Sequence, residues 1–96
     1  MAVPFDILAS DEFKRSWQRI SFELGPQAAE FDESVLRTVR LLYERGPGFG
    51  MSREDAIYSV PITKDYELAY EWLTERDEHG NATINHLSLL PIEHTR

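Results

Sequence analysis

Cysteine is absent from this 96-residue chain, which excludes a disulfide framework and any thiolate metal site. No stretch approaches the roughly 20 apolar residues of a membrane span. The opening Met-Ala-Val-Pro-Phe-Asp has neither the basic start nor the apolar run of a secretory leader. A cytoplasmic location with no membrane association is the expectation. Positive charge is also scarce, with 10 Lys/Arg against 17 Asp/Glu. The shortage is uneven. Residues 1–53 hold seven Lys/Arg and eight Asp/Glu, whereas residues 54–96 hold three and nine. An acidic surface repels nucleic-acid phosphates and speeds encounter with basic proteins, although it also keeps cytosolic proteins soluble. Direct nucleic-acid binding is therefore not expected. The length suits a single domain over 1–96.

What is present is strong periodicity. Residues 3–9 are apolar with polar flanks and suit a first strand. Ser10 is placed to cap a helix whose first turn holds Asp11 and Glu12. Phe13, Trp17, Ile20 and Leu24 then form one apolar stripe that Gly25-Pro26 ends. A second helix runs from Pro26 or Gln27 to Arg45, with Ala28, Phe31, Val35, Val39 and Leu42 on its buried face. Leu36 and Tyr43 are expected to widen that face. The short break between the helices predicts an antiparallel hairpin.

The second half alternates at a period of two. Residues 57–62 form one strand, which Pro61 confines to an edge or ends early. In the next, Tyr66, Leu68, Tyr70 and Trp72 share one face, and Glu67, Ala69, Glu71 and Leu73 the other. Gly80 serves a loop around residues 77–81, and residues 82–90 form the last strand before Pro91. The fold class is α+β, in the order β-α-α-β-β-β. The helical hairpin covers one face of a small, mostly antiparallel sheet, and the other face is open to water or a partner.

Element order and length resemble the RelE/ParE superfamily of toxin–antitoxin toxins. The segment Asp65-Tyr66-Glu67-Leu68-Ala69-Tyr70-Glu71-Trp72 is similar to the family's string of tyrosine, arginine, aliphatic pair and second tyrosine. The ending Leu89-Leu90-Pro91-Ile92-Glu93-His94-Thr95-Arg96 resembles its closing strand with a histidine and an arginine. The resemblance implies a type II toxin-like protein with a cognate antitoxin as partner. In the family's ribosome-dependent RNases, cations on the open face hold the mRNA phosphates, and attack by the 2′-hydroxyl needs such fixed charge. Here Glu67 stands where an arginine is expected, and Glu71 adds repulsion. Catalytic candidates reduce to Lys64, Arg53, His94 and Arg96. The gyrase-targeting ParE branch, which lacks a fixed catalytic set, tolerates these departures better.

The resemblance thus favours action by protein binding. An mRNA endonuclease and a non-toxic acidic inhibitor or antitoxin-like module are the alternatives, and enzymatic activity stays open. The binding residues implied are Glu67, Glu71 and Glu75, a row of carboxylates for a basic protein, with Tyr66 and Tyr70 as exposed aromatics if their face is the uncovered one. Few cations are available to match that row within the sheet.

The remaining patterns carry less. His79, His86 and His94 lack metal-pair spacing, His94 reads as a solvated tail residue, and no metal or cofactor is expected. Gly46-Pro47-Gly48-Phe49-Gly50 runs from helix to strand, the reverse of a phosphate loop, and reads as a mobile connection. Lys14, Arg15 and Arg19, and Arg37 with Arg40, suit either an acidic partner or solvated faces with local ion pairs.

Overall fold

The computed structural model describes residues 3–95. Its first strand, β1 (Phe5–Ala9), leads directly into helix α1 (Asp11–Leu24). The Ser10 hydroxyl accepts from the Phe13 N–H at 3.0 Å and donates to the Leu89 carbonyl at 2.7 Å. One side chain therefore caps the helix and fixes its start to the far end of the chain. At the other end the φ of Gly25 is +57°, a conformation that favours glycine, and a 3-10 turn over Gly25–Gln27 reverses the chain.

Helix α2 (Ala28–Arg45) folds back on α1. The Asp32 carboxylate accepts from Trp17 Nε1 at 2.6 Å and from the Ser21 hydroxyl at 3.0 Å, joining the two helices. The connection after α2 is anchored rather than loose. Tyr70 Oη donates to the Pro47 carbonyl and accepts from the Gly50 N–H, and a Cβ on Gly50 would lie 2.7 Å from that oxygen. The glycine-rich segment is held by a buried tyrosine, which corrects the expectation of mobility.

Strands β2 (Met51–Glu54), β3 (Ile57–Pro61), β4 (Tyr66–Arg76) and β5 (Ala82–Leu89) form an antiparallel meander. The last of these pairs in parallel with β1, so the sheet order is β1-β5-β4-β3-β2. After the break at Pro91, the two-residue strand β6 (Glu93–His94) pairs with the beginning of β4. The α+β class and the element order are those expected. Strands β2 and β6 are additions, and Pro61 is the last residue of β3, where its missing N–H is tolerated.

The core lies between the helical hairpin and one face of the sheet. Phe13 and Ile20 of α1 and Phe31, Val35 and Leu42 of α2 meet Val60, Leu68, Tyr70, Leu87, Leu89 and Ile92. Each such side chain contributes about 1.5–3 kcal/mol on burial. Five helical positions differ from the expectation. Trp17 and Val39 are only partly buried, Leu36 and Tyr43 are exposed, and Thr38 takes a core position with its hydroxyl donating to the Ser34 carbonyl. The buried Ser16 hydroxyl accepts the Ile92 N–H at 2.9 Å and so pins the chain after β5 against α1.

Candidate binding face of the sheet

Strand β4 determines what the two faces of the sheet present. Tyr66, Leu68, Tyr70 and Trp72 point towards the helices, and Glu67, Ala69, Glu71, Leu73 and Glu75 point away from them. The aromatic residues therefore form no exposed patch. Tyr70 is fully buried and stacked on Tyr58, with ring centroids 5.7 Å apart, so it is a core residue and not an exposed contact. Burial pushes its phenol pKa up, against the opposing pull of the Gly50 N–H. Tyr66 packs edge-on against Phe31 on one side and meets the His94 ring at 4.4 Å on the other. Trp72 donates its indole N–H to Asn85 Oδ1, which the Thr74 hydroxyl shares.

The open face does carry the carboxylates, in cross-strand rows set by the register. Ile57, Glu71, Ser88 and Leu8 form one row, and Leu73, His86 and Asp6 the next. Glu67 lies directly opposite Glu93, a like-charge pair. Arg53 pairs with Glu67 but not with Glu93. Its Nη2 stands 3.3 Å from Glu67, while its Nε donates to the Ser59 hydroxyl at 2.6 Å. Glu75 is matched as well, by His86 Nε2 at 2.5 Å, and His86 Nδ1 is held by Asp6 at 2.9 Å.

The row of glutamates is thus better matched by cations than its composition suggests. Among the described residues, Glu71 and Glu93 are without an ion pair. On the same face Leu73, two residues along β4 from Glu71, and Leu8, across Ser88 from it, lie exposed.

The Asp6–His86–Glu75 clasp was not legible as a site. Period-two alternation puts Asp6 and His86 on the polar side of their strands. Their meeting depends on the parallel 6-to-86 register, which joins residues 80 positions apart. Hydrogen bonding to Glu75 first, and then to Asp6, pushes the His86 pKa up. When protonated, this imidazole donates from both nitrogens, one to each carboxylate. Among the described residues no group of His, Asp and Glu could hold a metal ion.

Three of the catalytic candidates gather around the start of β4 but not on one face: His94 pairs with Tyr66 and the Thr95 hydroxyl donates to the Lys64 carbonyl, whereas Arg53 lies on the open face. Arg53 sits on the open face, engaged by Glu67 and Ser59. His94 lies tilted against Tyr66 on the helix side of the sheet, within β6, and is exposed to solvent there. Lys64 and Tyr66 line a depression of about 250 Å³ at the turn end of the helical hairpin, beside Glu30. Arg96 lies outside the described residues. No helix is long and apolar enough to cross a membrane among the described residues. No family model, curated protein or solved structure matches the chain.

Proposed function

We propose that this domain is a protein-binding module of the RelE/ParE toxin kind, acting in the cytoplasm by holding a basic partner on the open face of its sheet. A cognate antitoxin or a cellular target protein fits that description. The observation that carries the reading is the uncovered sheet face, where the carboxylates of Glu71 and Glu93 lack a cation and Leu8 and Leu73 lie exposed. Exposed apolar groups among unmatched charges of one sign suit a partner of opposite charge with an apolar centre. RNA cleavage is disfavoured, because Arg53 is engaged by Glu67 on the open face while His94 meets Tyr66 on the helix side, so the two do not share a face.

The test is affinity capture from the native host at low and high salt, comparing wild type with Glu71→Lys. The expected result is one identified protein, basic in sequence, retained by wild type at low salt and lost from the variant. It should also be lost as ionic strength shortens the ~10 Å Debye length of 0.1 M. The same proteins on both baits at both salts would remove the open face as the binding surface. Codon-specific mRNA cleavage on the ribosome, abolished by His94→Ala, would replace binding with endonuclease activity.

A further inference from the structure

The helical hairpin does not reach the whole of the sheet face that it covers. Beyond it, where the turn Asp55-Ala56 between β2 and β3 lies beside β4, is an open pocket of about 310 Å³. Asp55, Ala56, Tyr58, Trp72 and Thr74 line it, and no helical residue does. Tyr58 and Trp72 meet there with ring centroids 5.3 Å apart and planes at 50°, two walls of an aromatic corner. Both are half-buried and held from behind. Tyr58 stacks on the buried Tyr70, and Trp72 donates its indole N–H to Asn85 Oδ1 at 2.9 Å. The turn is fixed as well, since the Trp72 backbone N–H donates to the Ala56 carbonyl at 2.8 Å. It holds Asp55 at a φ of +45°, a conformation that aspartate and asparagine tolerate better than most residues.

The chemistry of these walls selects a cation. Asp55 is the one charged residue that lines the pocket, and among the described residues it forms no ion pair. Aromatic faces carry the negative part of a quadrupole and attract a cation within about 6 Å of the ring. Among the described residues the chain places no cation of its own on Tyr58 or Trp72, its cation–ring contact being Arg45 over Phe49. The kind of cation follows from the acceptors on offer. A lysine ammonium brings three N–H donors that need partners. Here the Ala56 carbonyl is taken by the Trp72 N–H, and the Thr74 hydroxyl gives its hydrogen to Asn85. A cation whose charge is spread over methyl groups has no such donors to leave unpaired. We infer that this corner binds a quaternary ammonium group, its methyl groups against the Tyr58 and Trp72 rings and its charge facing Asp55. Glu71 points to the other face of the sheet, so this site stands or falls independently of the open-face reading.

Nuclear magnetic resonance titration tests this, read at the Trp72 indole N–H with the Trp17 indole N–H as control. Three probes are compared: choline, Nα-acetyl-Nε-trimethyl-lysine methylamide, and dimethylbutanol, the uncharged analogue of choline with carbon in place of nitrogen. Choline is expected to saturate with a midpoint of about 1–10 mM, and the alcohol to bind at least about tenfold more weakly. Asp55→Asn suits the same turn and should weaken choline about threefold, as for loss of an exposed ion pair. Trp72→Leu, read at the Ala56 amide, should weaken it about tenfold, with an unchanged melting curve to verify the fold. If that variant unfolds, Asp55→Asn alone decides. Tighter binding of the trimethyl-lysine probe assigns the site to a methylated protein side chain. Tighter binding of choline assigns it to a free small cation, and either order supports the inference. No saturation by about 50 mM choline, equal binding of the alcohol, or choline binding that Asp55→Asn leaves unchanged overturns it.

Discussion

The two faces of β4 belong to one strand and one register, yet they obey different rules. On the side facing the helices, every polar atom that goes inside finds a partner. Tyr70 Oη holds Pro47 and Gly50, Trp72 Nε1 reaches Asn85, and among the described residues no buried side-chain nitrogen or oxygen is left without a hydrogen bond. On the outer side the carboxylates are only partly matched. Arg53 serves Glu67, His86 serves Glu75, and Glu71 has no ion pair on a face that also exposes Leu8 and Leu73. The covered face is completed within the chain, whereas the open face leaves charge and apolar surface for something else. The difference teaches where to look for stability and where to look for function.

The contrast is broken most severely from the covered side. Tyr70→Ala removes a fully buried ring and the two hydrogen bonds that hold the loop after α2, so urea denaturation should record a loss of about 3–5 kcal/mol. Tyr70→Phe keeps the ring, leaves the Pro47 carbonyl and Gly50 N–H without their partner, and should cost about 1–3 kcal/mol. A cost below about 0.5 kcal/mol for both changes would mean that Tyr70 does not organise this end of the core.

Trp17→Ala comes next. The indole is partly buried and shares Asp32 with Ser21, so about 2–3 kcal/mol is expected, less than for a fully enclosed tryptophan. Equality with Tyr70→Ala would show that the helical hairpin depends on Trp17 as heavily as the sheet does on its buried tyrosine.

The His86 clasp sharpens the comparison through pH. Its folded-state pKa is raised, so the stabilisation it gives is full below the unfolded value of about 6.5. That stabilisation is then lost as pH rises through the higher folded value. Wild-type stability relative to His86→Leu should therefore fall as pH increases above about 6.5. Nuclear magnetic resonance titration should place the His86 midpoint above the ordinary imidazole value of about 6.5. A midpoint at or below that value would mean that Asp6 and Glu75 do not hold the imidazolium in solution.

The smallest effect on stability is expected at Glu71→Lys, within about 0.5 kcal/mol, because the side chain has no ion pair to lose. Its effect on capture of a basic partner should nevertheless be the largest of the set. A destabilisation above about 1 kcal/mol would assign Glu71 to the fold and not to binding.

Much of this architecture follows from local chemistry that the sequence displays directly. The Ser10 cap, the stop at Gly25-Pro26, the glycine at position 80 and the alternation of β4 all act within a few residues. Their physical cause, which is steric or hydrogen-bonding preference at short range, is legible in the order of side chains. Strands β2 and β6 were not legible for the converse reason. The first is exposed along its whole length and the second is two exposed residues long, so neither buries an alternating apolar row, and backbone pairing alone defines them.

Tertiary structure decided the rest. Which side of the strand the helices cover made Tyr70 a core residue, and the packing of the two helices left Leu36 and Phe22 exposed instead of in a core. Parallel pairing of β1 with β5 brought Asp6 to His86, and that contact across 80 positions has no local signature. Periodicity assigns a side chain to a face. Only long-range pairing decides what that face will meet, because the energy that selects it comes from burying the whole core at once.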